Sequence, residues 1–169
     1  PEVSGHINIP FSITNCGSEY IVKAIGLEAF KGNKDIIDVT FSEDSALTTI
    51  EGFAFSNSSI RKINFPSGLV NLDPKCFERA DKLVEIDIDE MNEKFEYVDN
   101  KYLIEKNKNQ EGVILIFARR DLVKAIIPSN VIKIGPRAFN HCARLKTLAF
   151  NGGDCMLREI GKRAFSLCK

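Results

Sequence analysis

The sequence predicts an α/β solenoid, a right-handed coil of about five repeats in which parallel strands alternate with short helical or 3₁₀ turns. Two observations indicate this class: a six-residue word recurs along the 169-residue chain, and short runs of alternating apolar residues follow its copies. One long interval between copies predicts, in addition, a β-hairpin insert. Repeats of this length bury their apolar residues only when neighbouring repeats stack, so the copies should form one continuous core.

The recurring word is Ile-Gly-x-x-Ala-Phe. Clear copies begin at Ile25, Ile134 and Ile160, and weaker copies begin at Ile50 and Leu72. An apolar residue lies three positions before each copy, at Val22, Leu47, Leu69, Val131 and Leu157. The final Phe residues of adjacent copies are 22 to 26 residues apart, which is a period typical of solenoid repeats. We assign residues 1–169 to one domain with repeats at about 7–41, 45–66, 69–88, 122–150 and 155–169.

Each repeat is expected to contain one strand and one turn. The spacing Leu83-x-x-Ile86-x-Ile88 ends in the alternation of a strand with one buried face. Phe139 and Cys142 are three residues apart, which suits a single helical or 3₁₀ turn with both side chains facing inward. The glycine of the word permits a tight turn or a close approach of two backbones.

The interval between Phe77 and Phe139 is 62 residues, too long for one repeat. Within it, the Asp-Asn pair at 99–100 separates two stretches rich in aromatic and branched residues, a pattern typical of a hairpin. Residues 113–117 are apolar throughout, which indicates a strand covered on both faces. We interpret residues 90–118, approximately, as an inserted hairpin or meander. The alternative is a degenerate repeat with long strands.

Composition narrows the class of protein. Hydrophobic residues make up 44% and charged residues 27%, as in ordinary globular proteins. The 23 basic residues equal the 23 acidic ones, so no net charge favours nucleic-acid binding. No apolar run is long enough to predict a membrane span in this chain. The chain begins at Pro1 without a signal-peptide pattern and ends at Lys169 within a repeat, so we expect a fragment with further repeats beyond Lys169.

Catalytic and metal-binding motifs are not recognisable. Neither His6 nor His141 is part of a motif with a nucleophile, so we predict that the chain is not an enzyme and has no cofactor. Cys142 and Cys168 hold the same repeat position, which favours buried thiols over zinc ligands. A disulfide between them would require Cα atoms within about 7 Å. Asn57-Ser58-Ser59 is a glycosylation sequon in a predicted loop.

The outward face of the predicted sheet is the first candidate for a working surface, because solenoids commonly bind there. Residues between the buried strand positions should form a column on that face. Its members are Asp38, Thr40, Lys62, Asn64, Glu85, Asp87, Lys124, Ile126 and Thr147. The other candidate is the insert, with Phe95, Tyr97 and Tyr102, and the alternative for each surface is a structural role: a solvated sheet face, or aromatics packed on the solenoid.

These words resemble the BspA-like subfamily of leucine-rich repeats. Residues 122–142 match nearly all of its pattern, Leu-x-x-Ile-x-Ile-Pro-x-x-Val-x-x-Ile-Gly-x-x-Ala-Phe-x-x-Cys. An insert with Asn92 and Phe95 leading to a hairpin is also similar to one that the family carries. Cys76 stands in place of Ala, and Asn33, Ser58 and Ala80 stand in place of Cys, so these departures argue against a chemical role for the Cys column.

The resemblance implies a leucine-rich-repeat-type solenoid that binds a protein rather than catalysing a reaction. Members of the family occur mostly on the surfaces of mucosal bacteria and protozoan parasites and are implicated in adhesion to host proteins and cells. We therefore expect a cell-surface or secreted, adhesin-like protein. The alternative is a cytoplasmic scaffold or assembly component that uses the same repeats for protein contacts.

Overall fold

The computed structural model describes residues 5–107, 111–153 and 155–168. The chain forms two compact units, residues 1–93 and 94–169. Regular secondary structure in the described residues consists of strands alone, joined by turns. The parallel-strand solenoid is as expected, but the helical or 3₁₀ turns of the α/β assignment are not confirmed. The assignment of residues 1–169 to one domain stays a prediction.

The first unit contains three sheets. Its strands are β1 (Gly5–Ile9), β2 (Ser12–Asn15), β3 (Ser18–Ile21), β4 (Ala24–Ile25), β5 (Ile36–Phe41), β6 (Thr49–Ile50), β7 (Lys62–Phe65), β8 (Asn71–Leu72) and β9 (Glu85–Ile88). The main sheet has the order β1-β5-β7-β9, and all its neighbours are parallel. A narrower parallel ladder has the order β4-β6-β8, and β2 pairs with β3 as an antiparallel hairpin. Each coil therefore contributes one long and one short strand.

Phenylalanine rings stack from coil to coil in the core of the first unit. The centroid of the Phe55 ring lies 5.2 Å from that of Phe30 and 5.8 Å from that of Phe77, with nearly parallel planes. Phe55 is fully buried. Alternate residues of the strands, such as Ile63 and Phe65 in β7, are also fully buried. The last residue of the word thus lies inside the coil, as predicted from its recurrence.

The segment that contains the Ala-Phe pair forms consecutive turns instead of a helix. Ala29 N–H donates to the carbonyl of Gly26, three residues back, at 3.2 Å, but Phe30 N–H donates to Ala54 in the next coil at 2.7 Å. From residue 28 to residue 33, amides alternate between these two kinds of acceptor. A helix would need every amide to bond within its own segment. Bonding to the neighbouring coil therefore replaces the helix.

The backbone of these turns also passes through the left-handed region. The residue two positions before the Phe of the word has positive φ in four coils, at Glu28 (59°), Phe53 (58°), Arg137 (62°) and Arg163 (58°). A right-handed helix cannot contain such residues. Because none of the four is glycine, the sequence gives no sign of this conformation.

The second unit has two sheets. Its strands are β10 (Phe95–Val98), β11 (Tyr102–Lys106), β12 (Val113–Ala118), β13 (Lys124–Ile127), β14 (Val131–Ile134), β15 (Thr147–Phe150) and β16 (Glu159–Ile160). One sheet has the order β10-β11-β12-β14-β16, and the other pairs β13 with β15. The pairs β10–β11 and β11–β12 are antiparallel, whereas β12–β14 and β14–β16 are parallel. The meander that falls within residues 90–118 therefore continues directly into a parallel ladder of the coils.

Two apolar stretches are less buried than their sequences suggest. In β12, Leu115 and Phe117 are buried, whereas Val113, Ile114 and Ile116 are only partly covered, so one face is more enclosed than the other. In β15, Leu148 and Phe150 follow the core pattern, but both are exposed. β15 has a paired strand on one side only, namely β13, which leaves its apolar side chains without a covering coil.

Tyr102 gives a first testable prediction. Its side chain is almost fully buried, and its hydroxyl oxygen accepts a hydrogen bond from Ile126 N–H at 3.0 Å. Replacing Tyr102 with Phe should lower the free energy of unfolding by about 1 kcal/mol at neutral pH, because Ile126 loses its acceptor. Chemical denaturation of the two proteins measures this difference.

The same tyrosine should make stability depend on pH. Burial raises the pKa of Tyr102 above its ordinary value of 10.0, so the folded state holds the phenolic proton more tightly than the unfolded state. The stabilisation that the protonated Tyr102 gives to the folded state is complete below pH 10, and it is lost as the pH rises through the folded-state pKa. The Tyr102→Phe protein should lack this alkaline loss, and Tyr20→Phe, at an exposed tyrosine, should retain it. Equal alkaline loss in all three proteins would contradict the assignment.

Candidate protein-binding surface

The outer face of the main sheet in the first unit displays two rows of polar side chains. Parallel register places Asp38 beside Lys62, and Lys62 beside Glu85. In the second row, Asn64 lies beside Asp87. The residues alternate with fully buried ones such as Val39 and Ile63, so strand alternation fixes which side chains face outward. All six predicted surface residues of this unit lie on this face.

Polar contacts on this face join β1 to β5 and β7 to β9. His6 Nδ1 lies 2.5 Å from Asp38 Oδ2. Lys62 Nζ lies 2.5 Å from Glu85 Oε1 and 2.7 Å from Asp87 Oδ2. The hydrogen bonds to Asp87 and Glu85 raise the pKa of Lys62 well above its ordinary value. Along the first row, Lys62 lies between Asp38 and Glu85, so acidic and basic side chains alternate from β5 to β9.

The uncharged members of the face bond to neighbouring strands. Thr40 Oγ1 lies 3.1 Å from Asn8 Oδ1 and donates to it, and Asn64 Oδ1 accepts from Phe41 N–H at 3.1 Å. These bonds order the side chains against the sheet, so a partner that docks there meets a preorganised surface and loses less side-chain entropy on binding. The face consequently combines fixed polar groups with balanced charge.

The other predicted surface residues belong to the second unit. Lys124, Ile126 and Thr147 are exposed on the β13–β15 pair, where Lys124 lies beside Thr147 and Ile126 beside Ala149. Ile126 is 44% exposed, the only branched aliphatic side chain among the nine predicted residues. The nine residues expected in one column therefore belong to two sheets, six to the main sheet of the first unit and three to the β13–β15 pair.

The aromatic residues of the insert are less available than the sequence suggested. Phe95 and Tyr102 are buried. The Tyr102 ring lies 6.3 Å from that of Phe139, centroid to centroid, within the second unit. Tyr97 is partly buried. The structure therefore removes Phe95 and Tyr102 as direct contacts for a partner.

A feature that we did not predict is the β2–β3 hairpin. Its turn contains Cys16 (φ 51°) and Gly17 (φ 77°), the pair of positive φ angles that joins two strands tightly. Ile13 and Tyr20 face each other across it, and both are exposed. The signal in the sequence was Asn-Cys-Gly-Ser between two alternating stretches, since glycine at the second turn position favours a hairpin.

The structure also places the cysteines, the possible metal ligands and the glycosylation sequon that the sequence suggested. No disulfide joins any of the five cysteines. Burial raises the pKa of the Cys168 thiol, which donates to the carbonyl of Phe139 at 3.1 Å. Across residues 5–107, 111–153 and 155–168, no three His, Cys, Asp or Glu side chains lie close enough to hold a metal ion. Asn57 of the sequon is exposed, and its Oδ1 accepts from Lys34 Nζ at 3.1 Å.

Comparisons with known proteins identify the repeat. A family model described as BspA type leucine rich repeat region matches residues 6–107 and 115–169 in six copies, one more than the five repeats that we counted. No curated protein sequence matches the chain. In the part of the chain that the structure describes, no helix is long and apolar enough to cross a membrane.

Two solved structures share the fold. A leucine rich cell surface protein from Faecalibacterium prausnitzii is 23% identical, with a TM-score of 0.73 over 95% of this chain and 39% of that one. A leucine-rich repeat protein from Eubacterium ventriosum is 16% identical, with a TM-score of 0.61 over 98% of this chain and 57% of that one. The chain therefore spans less than two thirds of either protein.

The family match agrees with the residues that carry the fold. Its two segments include every copy of the recurring word, and the Phe residues of those copies stack in the core. The parallel ladders join coils at the period predicted from the word. The chain belongs to the BspA-type leucine-rich-repeat family.

Proposed function

We propose that this chain is a non-catalytic, protein-binding segment of a cell-surface or secreted protein, and that the outer face of its main sheet contacts the partner. The observation that carries the proposal is the pair of ordered rows on that face, in which Lys62 bridges Glu85 and Asp87. The partner would be a protein of a host or neighbouring cell, which makes the whole protein adhesin-like.

Support for the location comes from the family and from the similar fold of a protein described as a leucine rich cell surface protein. Support for a binding role rather than catalysis comes from the repeat family and from the lack of a recognisable nucleophile motif in the sequence. Balanced, ordered charges favour specificity in protein recognition, because a wrong partner would bring like charges together.

Double substitution on the outer face of the main sheet tests this function. In the intact protein, we expect Lys62→Ser and Glu85→Ser together to abolish capture of the partner proteins that the unmodified protein retains from cell extracts. Exposed ion pairs contribute only about 0–1 kcal/mol each, so the variant should remain folded. Quantitative mass spectrometry of the captured proteins provides the measurement.

A matched control removes the same charges elsewhere. Lys31 pairs with Glu28 at 2.6 Å, in the turns that contain the first Ala-Phe pair. Substituting Lys31 and Glu28 with Ser also removes one lysine and one glutamate, and capture should persist. If the outer-face variant captured the same proteins as this control, the outer face would not be the binding surface.

A further inference from the structure

A groove in the first unit is lined by cations from three successive coils. It is about 480 Å³ in volume and is formed by Lys34 and Ile37, then Ser59 and Arg61, then Lys82 and Val84. No acidic residue lines it. Residues 1–93 contain only 8 Lys and Arg against 16 Asp and Glu, so three of the eight cations lie in one groove of an otherwise acidic unit.

The three cations have no carboxylate partner among the described residues. No ion pair within 4.0 Å involves Lys34, Arg61 or Lys82. This contrasts with Lys62 on the outer face, which is bonded to two carboxylates. Uncompensated cations in a concave surface concentrate positive potential there and attract anions.

Neutral groups hold two of the cations in place. Lys34 Nζ donates to the carbonyl and Oδ1 of Asn57, and Lys82 Nζ donates to Ser59 Oγ at 3.4 Å. Each ammonium group keeps at least one further N–H, and the Arg61 guanidinium donates to no acceptor in the described residues. The groove therefore has fixed donors that a ligand can use.

Ser59 adds a neutral hydrogen-bond donor to the lining. The residue is only 8% exposed, and its hydroxyl accepts from Lys82 without donating to any acceptor in the part of the chain that the structure describes. A buried hydroxyl ordinarily uses its proton in a hydrogen bond. The open donor of Ser59 lies in the lining of the same groove as the three cations.

We propose that this groove binds a sulfate or phosphate group, either as the free ion or as an ester on a larger ligand such as a sulfated saccharide. Adjacent coils are about 5 Å apart, so the three successive coils place their cations within about 10 Å of one another along the groove, within reach of one ligand that carries a tetrahedral oxyanion. Arg61 suits two oxygens of such a group, and Ser59 suits a third. A carboxylate has only two oxygens and leaves donors unused.

Titration calorimetry on the full chain tests the proposal with defined probes. The probes are sodium sulfate, sodium phosphate, a sulfated tetrasaccharide, its desulfated counterpart and a tetraglutamate peptide. We expect binding of the sulfated tetrasaccharide or of the free ions, weakening as sodium chloride screens the cations. Binding of the saccharide alone identifies an ester ligand, whereas equally tight binding of the ions identifies the free anion. Preference for tetraglutamate, or no binding of any anion, overturns the proposal.

Three variants separate a specific site from general positive charge. Lys34→Gln, Arg61→Gln and Lys82→Gln together should weaken binding by about tenfold or more, whereas Lys23→Gln, Lys31→Gln and Lys75→Gln, with the same loss of charge outside the groove, should leave it unchanged. Ser59→Ala should weaken it about threefold without changing charge. Circular dichroism verifies that each variant is folded. Wild-type affinity in the first variant or in Ser59→Ala overturns the proposal.

Discussion

Replacing Phe139 with Ala is expected to lower the free energy of unfolding by about 3–5 kcal/mol. Phe139 is fully buried, and its ring stacks on that of Phe165 at 4.9 Å and contacts that of Tyr102 at 6.3 Å. Truncation removes the transfer free energy of the ring and leaves a cavity between two coils, which cannot collapse because backbone hydrogen bonds fix their spacing. Denaturant unfolding followed by circular dichroism gives the difference.

Phe150 provides the matched control within the same unit. It ends a strand of the same repeat, but its side chain is 41% exposed. Phe150→Ala should therefore cost only about 1–2 kcal/mol, because the side chain is partly exposed and its truncation leaves no enclosed cavity. Equal destabilisation by the two substitutions would mean that the register of this coil is wrong.

The core could be predicted from the sequence because its signals are local and repeated. The Phe of the word recurs at a fixed period, and Phe55, Phe77 and Phe139 are buried. The outward-facing strand positions could also be predicted from the sequence, since strand alternation and the repeat period together place Lys62 beside Glu85. That the outer face binds a protein stays a proposal, because alternation identifies exposure and not a ligand.

The turns could not be predicted because their hydrogen bonds depend on stacking. A spacing of three between Phe139 and Cys142 fits a helix and a chain of turns equally well. The turns form because some amides donate to the next coil. Phe139 N–H, for example, donates to the carbonyl of Ala164 at 2.8 Å, and such partners are distant in sequence. Positive φ at Arg137 has no signature at a non-glycine residue.

The basic groove was missed for a different reason. Lys34, Arg61 and Lys82 follow the Phe of their repeats by four, six and five residues, respectively, so alignment of the repeats does not place them in one column. The second repeat is one residue shorter after its Phe than the first and the third. The position of the three cations in one groove appears only when the coils are stacked.

Replacing Gly161 with Ala should lower the free energy of unfolding by about 3 kcal/mol. A Cβ atom there would lie 2.6 Å from the nitrogen of Pro136 and 2.9 Å from the carbonyl carbon of Gly135, both backbone atoms of the preceding coil. Because backbone cannot rotate away as a side chain does, the two coils must separate. Thermal and denaturant unfolding of the full chain measures the loss.

The same position in other coils provides a graded series. At Gly135 the nearest atom to a Cβ would be the Leu115 carbonyl oxygen at 3.1 Å, and at Gly26 nothing lies within 4 Å. We expect a moderate loss for Gly135→Ala, and no loss for Gly26→Ala, whose strand β4 has no preceding coil in its ladder. In the second coil Glu51 replaces the glycine, and its carboxylate accepts from Leu27 N–H at 2.8 Å.

This series separates the two roles that the sequence left open for the glycine of the word. Gly26, Gly135 and Gly161 all lack positive φ, so conformational freedom does not explain their recurrence. Close approach of backbones from adjacent coils does explain it, and it predicts the order Gly161, Gly135, Gly26 in destabilisation. If all three substitutions lowered the free energy of unfolding equally, the glycine would be required by the turn itself, and close packing between coils would not explain why it recurs.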